Sequence, residues 1–201
     1  VDCAETHLGK PAEEGGTALN VWAQESDSLL SGILARRGYA KQNWSEFQRW
    51  QMLQNEIPAP LLPPGYTIRP VGDGAELIER CYASGLGFHE NDIRYAHDNR
   101  KVSWYRSIQL APLYRRDLDL TAVAPDGSVA SFCTIWFDDV SRSAAFEPVA
   151  TVPDQQRKGL GKAVMRFGLR RLVQMGATKA FVGSYSDESG ALYASAGFTQ
   201  Y

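Results

Sequence analysis

From residue 66 onward the hydrophobic positions switch between a period of two and a period near 3.6. Residues 66–70 (Tyr-Thr-Ile-Arg-Pro) read as a first strand, and Asp73 or Gly74 opens a helix carrying Leu77, Ile78, Cys81 and Tyr82 towards Gly85. Residues 88–100 are polar and irregular, and 102–110 predict a short second helix. Two strand patterns, 118–124 and 129–137, flank Pro125-Asp-Gly-Ser128 and predict a hairpin. Residues 144–152 continue the antiparallel run. The spacing of Ala163, Val164, Phe167, Leu169, Leu172 and Val173 predicts an amphipathic helix over 159–175, stopped by Gly176. A strand over 179–183 and a helix over 189–196 follow. Hairpins succeeded by helix, strand and helix predict an α/β fold of the α+β type, with a mixed, mostly antiparallel twisted sheet flanked by helices.

The first quarter is organised differently. The segments 16–27 and 34–39 resemble 176–187 and 193–198: Asp27 matches Asp187 at an offset of 160, and Gly38 matches Gly197 at 159. Residues 1–57 are therefore expected to be the C-terminal remnant of a degenerate first domain with 44–50 as its last strand; an N-terminal extension packed on the sheet is the alternative. The proline-rich residues 58–65 are expected to form a linker, and 66–201 the main domain, lacking its final strand. The edge so exposed offers a route to a homodimer.

Composition narrows the function. Hydrophobic residues make up 44% of the 201 and charged residues 22%, which excludes a long membrane span. The net charge of −2 gives no overall attraction to nucleic acid, yet Arg157, Lys158, Lys162, Arg166, Arg170 and Arg171 gather around one helix. Cys3, Cys81 and Cys133 form no Cys-x-x-Cys pair, and His7, His89 and His97 have no metal-binding spacing. Buried thiols, a reducing cytoplasmic setting, no leader and no metal are the expectations.

The chemistry concentrates in residues 147–163, a strand, a glycine-bearing turn and a helix start. Gly159 and Gly161 remove side chains where a ligand approaches the backbone, and the following helix presents unpaired N–H groups. An anion is the expected occupant. A nucleotide-triphosphate loop would need Ser or Thr after Gly161-Lys162, where Ala163 stands, and a dinucleotide loop would need a third glycine near Met165 and Arg166.

Gln156-Arg-Lys-Gly-Leu-Gly161 resembles the acyl-CoA pyrophosphate loop of the GNAT N-acetyltransferase superfamily, Gln/Arg-x-x-Gly-x-Gly/Ala. Val152-Pro153-Asp154 resembles the strand exit before that loop, and 191–198 (Ala-Leu-Tyr-Ala-Ser-Ala-Gly-Phe) resembles the family's second signature. The resemblance covers residues 62–201. It implies that strands 144–152 and 179–183 splay to admit the pantetheine arm, with free backbone groups of Val149, Ala150, Thr151 and Val152 pairing with its amides. It further implies phosphate contacts from Gln156, Arg157, Lys158, Gly159, Leu160, Gly161, Lys162 and Ala163.

Acetyl-CoA as cosubstrate and a primary amine as acceptor follow from the same resemblance, with direct attack and no covalent enzyme intermediate. Glu147 is the expected base, or else an anchor for the acceptor amine, and Tyr193 the expected general acid, or else a packing residue against the pantetheine arm. The family often places Asn before the last helix, where Ser186-Asp187-Glu188 stands; Ser186 is expected to contact CoA, or Ser186 or Asp187 to cap that helix. An acidic and aromatic acceptor surface is expected from Phe88, His89, Glu90, Asn91, Asp92, Tyr95, His97, Trp104 and Tyr105. Two other readings remain: a non-catalytic acyl-CoA-binding domain, and a tandem-domain acetyltransferase of the mycothiol-synthase kind.

Overall fold

The computed structural model describes residues 1–12, 15–54, 56–89 and 92–200. Two compact units divide it, Val1–Ser45 and Glu46–Tyr201. The first holds helix α1 (Asp2–Leu8), a two-stranded ribbon of β1 (Lys10–Pro11) and β2 (Thr17–Ala18), and helix α2 (Ser28–Arg36). Arg37 ties the helices together by pairing with Asp2 and Glu5. Asp27 caps α2 by accepting from the Leu30 N–H at 2.9 Å.

The second unit contains β3 (Phe47–Met52), β4 (Thr67–Pro70), α3 (Ala75–Phe88), α4 (Ile93–Asp98), α5 (Ser103–Gln109), β5 (Asp119–Val123) and β6 (Val129–Asp138). It continues with β7 (Ser143–Thr151), α6 (Leu160–Gln174), β8 (Lys179–Ser184), α7 (Asp187–Ala196) and β9 (Thr199–Gln200). Its seven-stranded sheet runs β4-β5-β6-β7-β8-β3-β9, antiparallel except for the β7–β8 pair. The mixed sheet with helices on its faces is the fold class read from the sequence.

The strand expected over 44–50 as the end of a first domain lies at Phe47–Met52, inside this sheet. Phe47 pairs with Ser184 and Met52 with Lys179, and β9 adds to its other side. The unit boundary therefore falls after Ser45 rather than after residue 57. On the edge of β8 away from β7 lies β3, and β9 pairs with Arg49 and Trp50 of β3.

The helices sort by which face they cover. α6 and α7 bury Val164, Met165, Leu169, Leu172 and Tyr193 against Leu120, Cys133, Ile135, Phe146 and Val182. On the other face, Ala83 of α3 packs with Val129, Phe132 and Val152, while Leu77, Cys81 and Tyr105 form a neighbouring cluster. Helix α3 runs through Gly85 to Phe88. That glycine admits α4: a Cβ there would lie 2.5 Å from the Ala96 Cα. Cys81 and Cys133 are buried as expected, whereas Cys3 is exposed. Among the described residues no helix is long and apolar enough to cross a membrane.

Candidate active site

The site is built where β7 and β8 part. Their parallel ladder holds only from Ser143–Lys179 to Ala145–Phe181, after which β7 runs on to Thr151 and β8 to Ser184. On its other side β7 carries a bulge. Cys133 pairs with Val149 and Ile135 with Phe146, so Glu147 and Pro148 together face Thr134. The Glu147–Pro148 peptide is cis. Glu147 is exposed, and its carbonyl accepts the Trp136 indole N–H at 2.7 Å.

The bulge sets which backbone groups face the gap. The Val152 N–H donates to the Ala130 carbonyl at 3.0 Å, and the Ala150 carbonyl accepts from the Ser131 hydroxyl at 2.9 Å, so both residues point their peptide groups at β6. By the alternation of an antiparallel strand, Val149 and Thr151 point theirs away from β6, towards the gap. The four residues expected to offer backbone to a ligand are thus reduced to two.

Beyond Thr151 a single turn of 3₁₀ helix (Pro153–Gln155) delivers the glycine loop. Arg157 and Gly159 both have positive φ, 60° and 79°, and fold the chain back into α6. A Cβ on Gly159 would meet open space, so its requirement is conformational. Gly161 differs: a Cβ would lie 3.1 Å from Leu192 and 3.2 Å from the Thr151 hydroxyl, so this buried glycine also seats α6 against β7 and α7. The Ala163 N–H donates to the Gly159 carbonyl at 3.0 Å, and the amides before it at Leu160, Gly161 and Lys162 belong to the helix's first turn, which lacks intrahelical acceptors. Gln155 braces the loop, accepting from Tyr66 at 2.6 Å and from Lys158 at 2.8 Å. Gln156 donates to the Thr151 carbonyl at 3.4 Å. The Leu160–Ala163 turn, Gln156, Arg157 and Lys158 thus stand together at one end of the gap.

Tyr193 lies in α7, 6% exposed, in the core cluster with Cys133, Phe146 and Phe198. Burial, reinforced by Cys133, Glu147 and Tyr185, pushes its phenol up to about 12 from the ordinary 10. It stays protonated at neutral pH. Ser186 is the N-cap of α7 in a capping box with Ser189: it accepts the Ser189 N–H at 3.3 Å, and the Ser189 hydroxyl lies 3.3 Å from the Ser186 N–H. Of the two roles expected for Ser186, the cap is the one its hydroxyl occupies.

Sequence reasoning missed three neighbours. Trp136 reaches Glu147 from β6. Tyr185, just past β8, is pushed up to about 12 by burial and by Glu46 and Glu147. The Glu46 carboxylate lies over Gly183, where a side chain would collide with it. Only the β3–β8 pairing brings Glu46 here, and no local pattern encodes that pairing. Conversely, part of the expected acceptor surface is core: Tyr105 is 1% exposed with its hydroxyl on Asp119, and Trp104 packs beside it. His89 stacks on Tyr95, and His97 on Tyr82; Glu90 and Asn91 lie outside the described residues. Among the described residues no three His, Cys, Asp or Glu side chains gather to hold a metal.

The profile of the acetyltransferase (GNAT) family matches residues 80–198, more than half of the chain. This chain belongs to that family. It is similar to a mycothiol acetyltransferase of Pseudarthrobacter chlorophenolicus, at 25% identity over 93% of this chain and 59% of the relative. The fold is similar to a GCN5-related N-acetyltransferase from Sphaerobacter thermophilus (TM-score 0.65, 19% identity, 88% of this chain and 54% of that one). It is also similar to a tandem GNAT protein from the clavulanic acid biosynthesis pathway (TM-score 0.68, 16% identity, 96% and 59%). The chain spans less than two thirds of the length of each.

Proposed function

We propose that this protein transfers an acetyl group from acetyl-CoA to a primary amine by direct attack. The observation that carries the reading is the parting of β7 from β8 just before Glu147, with the first-turn amides of Leu160, Gly161 and Lys162 beyond the far end of the same strand. An extended pantetheine arm laid along Val149 and Thr151 places its pyrophosphate on that turn and its thioester beside Glu147. The positive loop residues Arg157 and Lys158 add charge to the phosphate end.

In the reaction the amine nitrogen bonds the thioester carbon as the carbon–sulfur bond breaks. The amine's proton passes to the Glu147 carboxylate, directly or through one water, and then to solvent. Sulfur leaves as thiolate, stabilised by the Tyr193 O–H and reprotonated from solvent. A phenol near 12 is a poor outright acid for a thiol whose ordinary pKa is about 8.5, so Tyr193 donates a hydrogen bond rather than its proton.

A second reading is a tandem-domain acetyltransferase acting on a mycothiol-like acceptor, favoured by the similarity to the mycothiol acetyltransferase running through both units of this chain. Release of CoA thiol from acetyl-CoA with a panel of primary amines tests the first reading. Turnover lost in Glu147→Gln supports it. Acetyl-CoA binding with turnover on no amine, and none altered by Glu147→Gln, identifies a binding domain instead.

A further inference from the structure

Along β6 the odd positions Cys133 and Ile135 enter the core under α6, while Phe132, Thr134 and Trp136 take the opposite face. Trp136 pairs in register with Ala145, yet its indole N–H reaches the carbonyl of Glu147, two residues further along β7, at 2.7 Å. It therefore ties the strand on which the bulge sits from outside the ladder. A bulge breaks ladder pairing locally and leaves its two residues freer to turn. An external donor on the Glu147 carbonyl restores one fixed point.

The tie is itself braced. Tyr114 meets the Trp136 ring edge-on, with centroids 6.5 Å apart at 66°. The Tyr114 hydroxyl donates to Asp119 at 2.8 Å. Asp119 is fully buried and also accepts from Tyr105 at 2.8 Å and 2.9 Å and from Thr134 at 3.2 Å. Arg80, fully buried, closes the set: its guanidinium stacks on Phe132 at 3.5 Å and lies 3.4 Å from the Thr134 hydroxyl. Burial and the Asp119 charge hold the Tyr105 and Tyr114 hydroxyls well above the ordinary tyrosine range, so both remain donors. An interior set of this kind is rigid because each member's loss leaves another buried group without its partner.

We propose that Trp136 is a positioning residue for Glu147, holding the bulge so that the carboxylate keeps one orientation at the gap, with Tyr114 and Asp119 as its brace. The inference rests on the reading of Glu147 as the group that receives the amine's proton. Trp136 does not touch the reacting atoms.

Two measurements test it. In the first, the Glu147 side-chain carboxyl is followed by carbon-13 NMR at fixed pH, assigned by its disappearance in Glu147→Gln. Trp136→Phe is expected to shift or broaden that resonance while those of the other glutamates stay in place. In the second, CoA release from acetyl-CoA with phenethylamine, spermidine or glucosamine gives kcat and KM. Trp136→Phe is expected to lower kcat roughly tenfold with KM for acetyl-CoA unchanged, and to cause no further loss in a Glu147→Gln background. Replacing Trp136 with benzothienylalanine, which keeps the ring and removes only the N–H, repeats both tests should Trp136→Phe fold poorly. An unmoved Glu147 resonance with unchanged kcat overturns the inference, as does an equal loss in both backgrounds. If Glu147→Gln itself retains full rate, the reading of Glu147 falls first, an outcome separate from failure of the tie.

Discussion

Replacing Tyr193 with Phe separates the two roles its position allows. The ring sits in the core with Cys133, Phe146 and Phe198, and Phe keeps that packing, so stability should change by less than about 1.5 kcal/mol. Catalysis should suffer more. With its phenol pushed up to about 12, Tyr193 is a full donor at neutral pH but lies roughly 3.5 pK units above a thiol, which makes outright proton transfer uphill by about 5 kcal/mol. What remains is one hydrogen bond to a developing thiolate, worth about 1.5–3 kcal/mol, or roughly 10- to 150-fold in kcat. The assay is steady-state CoA release at saturating acetyl-CoA, with thermal unfolding run in parallel. A Tyr193→Phe enzyme within twofold of the parent kcat, at unchanged stability, would leave Tyr193 as a packing residue. A loss far beyond 150-fold would restore it as a full proton donor and refute the argument from its raised pKa.

Gly168 faces the sheet from α6, where a Cβ would overlap the Ile135 Cδ1 atom and lie 3.2 Å from Phe146; Gly168→Ala should lower stability by about 1–3 kcal/mol in denaturant unfolding, despite alanine's better helix propensity. Asp119→Asn puts an amide donor where the Tyr105, Tyr114 and Thr134 hydroxyls all donate, which leaves at least one of them without an acceptor, and a loss of about 1–3 kcal/mol is expected by the same measurement. Tyr185 and Tyr193 are both raised from 10 to about 12, so between these values the folded protein keeps protons that the unfolded chain has released. Their contribution is whole below pH 10 and is lost as pH rises through 12, so the unfolding midpoint should fall steadily over that interval, and less steeply in a Tyr193→Phe variant.

Some of this architecture is legible because the signal is local. Residues 160–174 carry a helical stripe, and Pro125-Asp-Gly-Ser128 sits between two apolar runs, so α6 and the β5–β6 hairpin follow from spacing alone. Helix α4 does not: six residues of mixed polarity have no measurable period, and what holds them is Ala96 against Gly85. The segment of β3 reads as a strand, but which sheet it joins depends on pairing with β8, far along the chain. The glycine loop and the Ala-Leu-Tyr signature are contiguous and therefore visible. The direction of each peptide on β7 is not, because one extra residue at Glu147–Pro148 shifts the alternation. Trp136 and Glu46 reach the gap only through strand register. Trp104 and Tyr105 look like a binding surface in sequence because a seven-residue helix gives too few turns to tell its inner face from its outer one.

The central claim is that the gap beyond Ala145 and the loop at Gly159 form one acetyl-CoA groove. Isothermal titration of acetyl-CoA into the chain tests it, alongside an Arg157→Glu/Lys158→Glu variant that reverses two exposed charges without disturbing the packed Gly161. The account predicts saturable binding in the micromolar range, weakened at least about tenfold in the variant. Absence of saturable binding below a millimolar, or equal affinity in the two proteins, would contradict it.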